Sequence, residues 1–189
     1  MEDMLSSVLE TGEEVLWKGK PEAFATLDKT HKPVIVKGEI IKIVVSLALI
    51  IAYIVTVSNS GAGVKPAIVV IILAVMAYAL ASPFLHANTI RRKVEYVITN
   101  QRLITIKDDA KGVEFDKIKV AAIKTDDDGH TTLLCGPSAV KAEVAKWRGD
   151  AALGLRLDNE TLDCDALTWY AIPNAKEAEV LLKKYLPIE

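Results

Sequence analysis

The sequence predicts a membrane α-helical hairpin joined to a domain of the α+β or all-β class. Two long apolar runs, 40–57 and 66–85, stand on either side of a short polar break and predict the hairpin. Beyond residue 93 the apolar residues alternate with polar ones, which is typical of half-buried strands. This pattern predicts a bent antiparallel sheet or barrel of about seven strands, followed by a C-terminal helix.

The two apolar runs are long enough to cross a membrane. A helix rises about 1.5 Å per residue, so roughly 20 residues span a hydrocarbon core of about 30 Å. Pro66 to Leu85 contains no charge and meets this length. Ile40 to Val57 meets it if Lys42, near the helix end, reaches the interface. The alternative, a buried hairpin of a soluble protein, is disfavoured because soluble helices keep a polar face.

Basic residues near the two runs predict the orientation of the hairpin. Lysines 29, 32, 37 and 42 precede or open the first run, and Arg91, Arg92 and Lys93 follow the second. The connecting loop holds only Lys65. Because Lys and Arg collect on the cytoplasmic side, both termini are expected in the cytoplasm of a multi-pass protein of the cell membrane.

With this orientation, the chain consists of an N-terminal cytoplasmic segment (1–39), the hairpin (40–86) and a cytoplasmic domain (87–189). In the N-terminal segment, Val15 and Trp17 alternate with polar neighbours and predict a short strand that ends at Gly19. We expect Trp17 to pack against the later domain; the alternative is an anchor at the membrane interface.

The cytoplasmic domain shows a regular succession of strand patterns and turns. Strands are predicted around 94–99, 102–107, 113–115, 118–123, 131–135, 153–157 and 166–172. Between the strands predicted at 131–135 and 153–157, the apolar residues of 136–150 have helical spacing and predict a short amphipathic helix. After Pro173, Asn174 and Glu177 predict a capped helix with one apolar stripe that covers the open end of the sheet.

One stretch resembles a known family. The string Tyr96-Val-Ile98-Thr99-Asn100-Gln-Arg102-Leu is similar to the turn signature of the bacterial pleckstrin-homology-like (PH-like) membrane proteins, YdbS-like. The lead-in 12–21 and the helix entry 172–178 resemble the same family, in the same order. The resemblance implies two transmembrane helices ahead of a PH-like domain but implies no activity. The longer segment 136–150 departs from it.

Catalytic and metal chemistry is not expected from the sequence. The formal net charge of −2 gives no footprint of nucleic-acid binding. His31, His86 and His130 lie in unrelated contexts, and no metal-binding spacing occurs. Residues 126–128 are three aspartates in a turn without the spacing of a calcium loop, so a solvated turn is expected. Cys135 and Cys164 are far apart in sequence and are expected to be reduced.

Basic residues at the membrane surface form the candidate lipid site: Lys37, Lys42, Arg91, Arg92 and Lys93. Each one near an anionic leaflet can gain about 1 kcal/mol. The simpler explanation is topology alone. We therefore expect a non-enzymatic, membrane-anchored interaction or scaffold module without a cofactor, which binds a protein partner or its own copies. The alternatives are sensing of anionic lipid and an accessory subunit of a membrane enzyme or transporter.

The predicted topology can be tested with single cysteines in the loop and in the domain. Ser60→Cys should react with an impermeant maleimide on intact cells, whereas Asp109→Cys should react only after permeabilisation. The unmutated chain, whose two thiols are expected to be buried, is the control. Labelling of Asp109→Cys but not of Ser60→Cys on intact cells would show the opposite orientation.

Overall fold

The computed structural model describes residues 2–61, 63–141 and 155–188. These ranges contain, in order, α1 (Glu2–Val8), β1 (Val15–Gly19), α2 (Lys32–Asn59), α3 (Pro66–Lys93), β2 (Glu95–Thr99), β3 (Arg102–Ile106), β4 (Ala110–Glu114), a 3-10 turn (Phe115–Lys117), β5 (Ala121–Thr125), β6 (Thr131–Cys135), α4 (Pro137–Val140), β7 (Leu155–Leu157), β8 (Cys164–Trp169) and α5 (Ala175–Tyr185).

Helices α2 and α3 form the predicted hairpin, and both are long and apolar enough to cross a membrane. Each has 28 residues and so extends about 42 Å. Almost none of their apolar length is buried against the rest of the chain, unlike the core helix of a soluble protein. Both helices continue past the apolar runs, to Lys32 at the start of α2 and to Lys93 at the end of α3.

The domain after the hairpin consists of two four-stranded sheets, in which all neighbouring strands are antiparallel. One has the order β1-β2-β3-β4 and the other β5-β6-β8-β7. The structure therefore agrees with a helical hairpin plus a β domain. Strand β1 comes from the N-terminal segment and pairs with β2, with Trp17 opposite Ile98. This confirms the expectation that Trp17 packs against the later domain.

The core contains a stack of aromatic rings between the sheets. Trp169 lies nearly parallel to Tyr96, with ring centroids 4.9 Å apart, and 6.5 Å from Trp17. Its indole N–H donates to the Thr105 hydroxyl at 2.8 Å, so the buried polar group is satisfied. Three aromatic side chains from β1, β2 and β8 thus hold the two sheets together.

Helix α5 confirms the predicted C-terminal element but begins differently. Ala178 and Leu182 of its apolar stripe are buried in the main core. Asn174 occupies the N-cap position, but its backbone is left-handed (φ 49°) and its side chain forms no capping hydrogen bond. The sharp turn after Pro173 requires this conformation, which replaces the predicted capping-box geometry.

Two further differences concern the middle of the domain. The strand predicted at 118–123 begins only at Ala121, because the chain first makes a 3-10 turn at Phe115–Lys117. The predicted helix in 136–150 is described only as the single turn of α4, Pro137–Val140. The remainder of that helix, and the start of the strand predicted at 153–157, lie outside the described residues.

We predict that α5 is required for stability. Leu182→Asp places a charge in the buried stripe and should destabilise the full chain in detergent by several kcal/mol, because an unpaired buried charge is costly. Val180→Asp is the matched control, since Val180 is 72% exposed on the same helix. Equal melting temperatures for the two variants would contradict the packing of α5.

Candidate functional site

The candidate lipid residues are dispersed into different roles by the fold. Arg91, in the last turn of α3, donates from Nη1 to the Phe24 carbonyl at 2.7 Å, and its guanidinium lies 5.3 Å from the Phe24 ring centroid. A guanidinium held in this way fixes the N-terminal segment to the base of α3. Arg91 is therefore a packing residue, in addition to any effect on topology.

The other two residues of the basic cluster are exposed. The Lys93 ammonium lies 3.5 Å from the Asp108 carboxylate, and Lys107 lies 3.1 Å from the same group. The hydrogen bond from Lys107, aided by the charge of Lys93, lowers the pKa of Asp108. Among the described residues, Arg92 has no such acidic partner. Arg92 and Lys37 of α2 are thus exposed basic groups near the ends of the two helices, whereas the exposed Lys93 lies beside an acidic group.

Lys42 joins the two helices of the hairpin. Pro83 has no backbone N–H, so the carbonyl of Ala79 loses its helical partner. The Lys42 ammonium donates to this carbonyl at 2.7 Å, and the Ser82 hydroxyl donates to it at 2.8 Å. Lys42 also forms an ion pair with Glu39 at 2.8 Å. The carbonyl that Pro83 leaves without a helical partner is thus satisfied by a side chain that was expected to face the membrane surface.

The turn signature at the end of β2 binds the lead-in segment before β1. Arg102 donates from Nε and Nη2 to the two oxygens of Glu13, at 2.9 and 2.8 Å, in a bidentate pair. Thr99 donates its hydroxyl to Glu13 Oε1 at 2.8 Å. Asn100 accepts from the Glu14 N–H and donates to the Gly12 carbonyl. Two motifs that are 86 residues apart in sequence therefore form one hydrogen-bonded unit.

The remaining signature residues, Tyr96 and Ile98, belong to the core. The Tyr96 hydroxyl donates to the Tyr170 carbonyl at 3.1 Å and accepts from the Tyr170 N–H at 3.0 Å. Burial raises the pKa of Tyr96, so its hydroxyl keeps the proton that the bond to the carbonyl requires. All five signature residues therefore have structural partners.

A buried cluster of aspartate and histidine side chains lies at the base of the hairpin. Asp28 and His31 come from the turn before α2, whereas Asp126 and His130 come from the turn between β5 and β6. The Tyr170 hydroxyl lies between the two aspartates. The sequence analysis treated these histidines as unrelated and the aspartates 126–128 as a solvated turn. The available signal was the local pairing Asp-x-x-His in one turn and Asp-x-x-x-His in the other.

The structure also places the third histidine and the two cysteines. His86 lies half-buried in α3 and outside this cluster. Cys135 and Cys164 are free and buried, and burial raises the pKa of Cys164 to about 12. Protonated, buried thiols react slowly with electrophiles.

Comparison of the chain with family models, with curated proteins and with solved structures gives no match. The functional argument therefore rests on the geometry of this chain.

The Glu13–Arg102 pair should make stability dependent on pH. The Glu13 side chain is fully buried; burial alone would raise its pKa, but the hydrogen bonds from Arg102, the Glu10 N–H and Thr99 lower it overall. A lowered pKa gives stability that is present above the unfolded-state value of 4.5 and is lost as the pH falls through the folded-state value.

We predict that Arg102→Gln, which leaves the Glu13 carboxylate buried without its ion-pair partner, costs about 3–5 kcal/mol at neutral pH. The difference in stability between this variant and the unmutated chain should shrink as the pH falls below about 4.5, because a protonated Glu13 no longer needs the ion-pair partner. Glu10→Gln is the matched control, because Glu10 contacts the same guanidinium at 3.0 Å but is 63% exposed and should contribute at most about 1 kcal/mol. Identical acid transitions for Arg102→Gln and Glu10→Gln would refute this role.

Proposed function

We propose that the chain is a membrane-anchored PH-like interaction module at the cytoplasmic face, which binds a protein partner or a second copy of itself and has no catalytic activity. The observation that carries the proposal is the rigid junction between anchor and domain. Helix α3 ends at Lys93 and β2 begins at Glu95, with only Val94 between them. So short a connection restricts the orientation of the domain relative to α3.

Arg91 and β1 reinforce this junction from the N-terminal side. The bond from Arg91 to the Phe24 carbonyl joins the last turn of α3 to the segment that leads into α2. Strand β1, which precedes the hairpin, pairs with β2, which follows it. Both ends of the hairpin are therefore fixed to one sheet. A fixed orientation favours recognition of a partner that is itself held at the membrane, because the ordering cost of binding is reduced.

The surface that we assign to the partner lies between β4 and β7, which are edge strands of the two sheets. A cleft of about 190 Å³ there is lined by Val113 and Glu114 of β4 and by Leu157 and Leu162. Leu157 and Leu162 are exposed apolar side chains outside the hairpin. Exposed edge strands that border apolar side chains are common sites for an added peptide strand.

Leu162 gives the more specific support for this surface. It is 59% exposed and has a left-handed backbone, with φ 58°. Leucine rarely adopts this conformation, whereas asparagine and glycine tolerate it. The turn is held by the Leu162 N–H, which donates to the Asp158 carbonyl, and by the Asp158 carboxylate, which accepts from Glu160 and Thr161. A strained, exposed apolar residue is unfavourable for folding alone, which supports a role in recognition.

The two alternatives have less support from the side-chain contacts. Lipid sensing by the basic cluster is weakened because Arg91 is bonded to Phe24 and Lys93 lies beside Asp108. A transport accessory role would require ionisable groups along a path through the membrane. Lys42 and Glu39 instead pair with each other near the cytoplasmic end of α2, and this pair gives such a path no support.

The proposal predicts that Leu162→Asn impairs association but does not lower the stability of the chain. Asparagine removes the apolar side chain and suits the left-handed backbone. The melting temperature should therefore stay equal or rise, with a gain of up to about 1 kcal/mol in the free energy of unfolding. Cross-linking in native membranes should lose the specific adduct of the unmutated chain. Two differently tagged copies distinguish a homodimer from a complex with another protein.

Val180→Asn, an equally conservative change at an exposed position of α5, is the control and should leave the adduct intact. An adduct that persists in Leu162→Asn, or the absence of any specific adduct in the unmutated chain, would contradict the proposed surface. Binding to anionic vesicles that Arg92→Ala abolishes would instead favour lipid sensing.

A further inference from the structure

The aspartate–histidine cluster combines strong burial with metal-ligand chemistry. The side chains of Asp28, His31 and Asp126 are only 2%, 5% and 9% exposed. One ligand atom from each of these three residues lies within 4.8 Å of the other two. Acidic groups on a surface often lie near one another without a ligand. Two buried carboxylates at this separation require a compensating positive charge, which a protonated His31 or a bound cation can supply.

Both carboxylates are held in place by their own turns. Oxygen Oδ1 of Asp28 accepts from the His31 N–H at 2.6 Å. Oxygen Oδ1 of Asp126 accepts from the N–H groups of Asp128 and His130, at 3.1 and 2.8 Å. The second oxygen of each aspartate is directed at the same point, the Tyr170 hydroxyl, at 3.0 Å from each. Such backbone-oriented carboxylates are typical of the support around a metal ligand.

The two aspartates compete for one hydroxyl hydrogen. The Tyr170 hydroxyl can donate to only one aspartate at a time, although Oδ2 of both Asp28 and Asp126 lies within hydrogen-bond distance. The other carboxylate then faces the lone pairs of the phenol oxygen. His31 Nδ1 lies 2.8 Å from both oxygens of Asp28, where it can either supply that carboxylate with a hydrogen or bind a cation together with it.

His130 shows the same deficit at the edge of the cluster. Its Nε2 lies 3.2 Å from the Ala23 carbonyl, which can only accept, so Nε2 carries the hydrogen. In the neutral ring, Nδ1 then has a lone pair. This atom is buried, has no hydrogen-bond partner among the described residues, and lies 3.6 Å from Asp126 Oδ1. A proton on Nδ1 or a nearby cation would relieve the repulsion between these two electron-rich atoms.

We propose that this cluster binds one divalent transition-metal ion of the zinc class, with His31 Nδ1 and one oxygen each of Asp28 and Asp126 as ligands. A set of one imidazole and two carboxylates suits Zn²⁺ or Mn²⁺, whereas Mg²⁺ and Ca²⁺ favour oxygen ligands alone. Metal–ligand distances of about 2.0–2.2 Å require the three ligand atoms to move together by less than about 1 Å. His130, which is 15% exposed, lies where an ion can enter from solvent.

The proposed ion would connect the hairpin to the second sheet. His31 is the N-cap of α2, and Asp126 follows β5. The turns are already in contact, since the Lys29 N–H donates to the Asp128 carboxylate at 2.8 Å. An ion bound between them would stabilise the domain against the base of the membrane anchor, independently of which partner the domain recognises.

The test is a titration of the full chain in detergent with Zn²⁺ alone, after removal of metals by a chelator and with an affinity tag free of histidine. We expect one Zn²⁺ per chain, measured by calorimetry and by elemental analysis after gel filtration, and a melting temperature that rises with Zn²⁺ concentration. Asp126→Asn should weaken Zn²⁺ binding by at least about tenfold. The asparagine oxygen still accepts the backbone bonds that Oδ1 now accepts, so the turn should be retained.

Asp127→Asn is the matched control, because it removes the same charge from the exposed neighbouring residue and should bind Zn²⁺ as the unmutated chain does. Asp28→Asn provides a second ligand variant if Asp126→Asn does not fold. Absence of Zn²⁺ binding to the unmutated chain would overturn the proposal and identify the missing charge as a proton. Zn²⁺ affinity in Asp28→Asn and Asp126→Asn that equals that of the unmutated chain, or equal losses of affinity in Asp126→Asn and Asp127→Asn, would also overturn it.

Discussion

The buried residue on which the other contacts depend is Tyr170, directly after β8. Its backbone N–H and carbonyl both bond to the Tyr96 hydroxyl, which joins the second sheet to the first. Its own hydroxyl reaches Asp28 and Asp126, and its ring packs edge-on against Phe24 at 4.8 Å between centroids. One residue thus joins both sheets and the segment that leads into the hairpin. Each of its polar groups must be satisfied, because an unpaired buried group costs about 1–3 kcal/mol.

This arrangement explains how a domain of modest size keeps a fixed orientation on a hairpin. Ile35 of α2 and Ala87 and Ile90 of α3 are buried in the main core, and short polar links add to this packing. Arg91 bonds the end of α3 to the Phe24 carbonyl, and Asp28, before α2, accepts from the Tyr170 hydroxyl. Lys42 of α2 bonds the Ala79 carbonyl of α3. Charged hydrogen bonds are strongest where water is excluded.

The sequence predicted the elements of the fold well but not the polar contacts between them. The length of the apolar runs predicted the hairpin, and the alternation of apolar and polar residues predicted β2, β3 and β6, because both patterns are local in the sequence. The pairing of β1 with β2 and the cluster around Asp126 depend on which distant segments meet, and no local pattern contains that information. Lys42 shows the same limit. Its position near the helix end predicted a side chain at the membrane surface. In the structure its ammonium bonds the Ala79 carbonyl of α3, which has no helical partner because of Pro83.

The signature that resembles the PH-like membrane proteins gains a physical explanation from these contacts. Thr99 and Arg102 bind Glu13, Asn100 binds Gly12 and Glu14, and Tyr96 binds Tyr170, so these residues stabilise the fold. A motif with this role carries information about architecture, because any chain that builds the same turn needs the same bonds. A recognition role, as proposed, would then be sought in groups whose arrangement costs stability. The strained, exposed Leu162 and the two buried carboxylates of Asp28 and Asp126 both have that property.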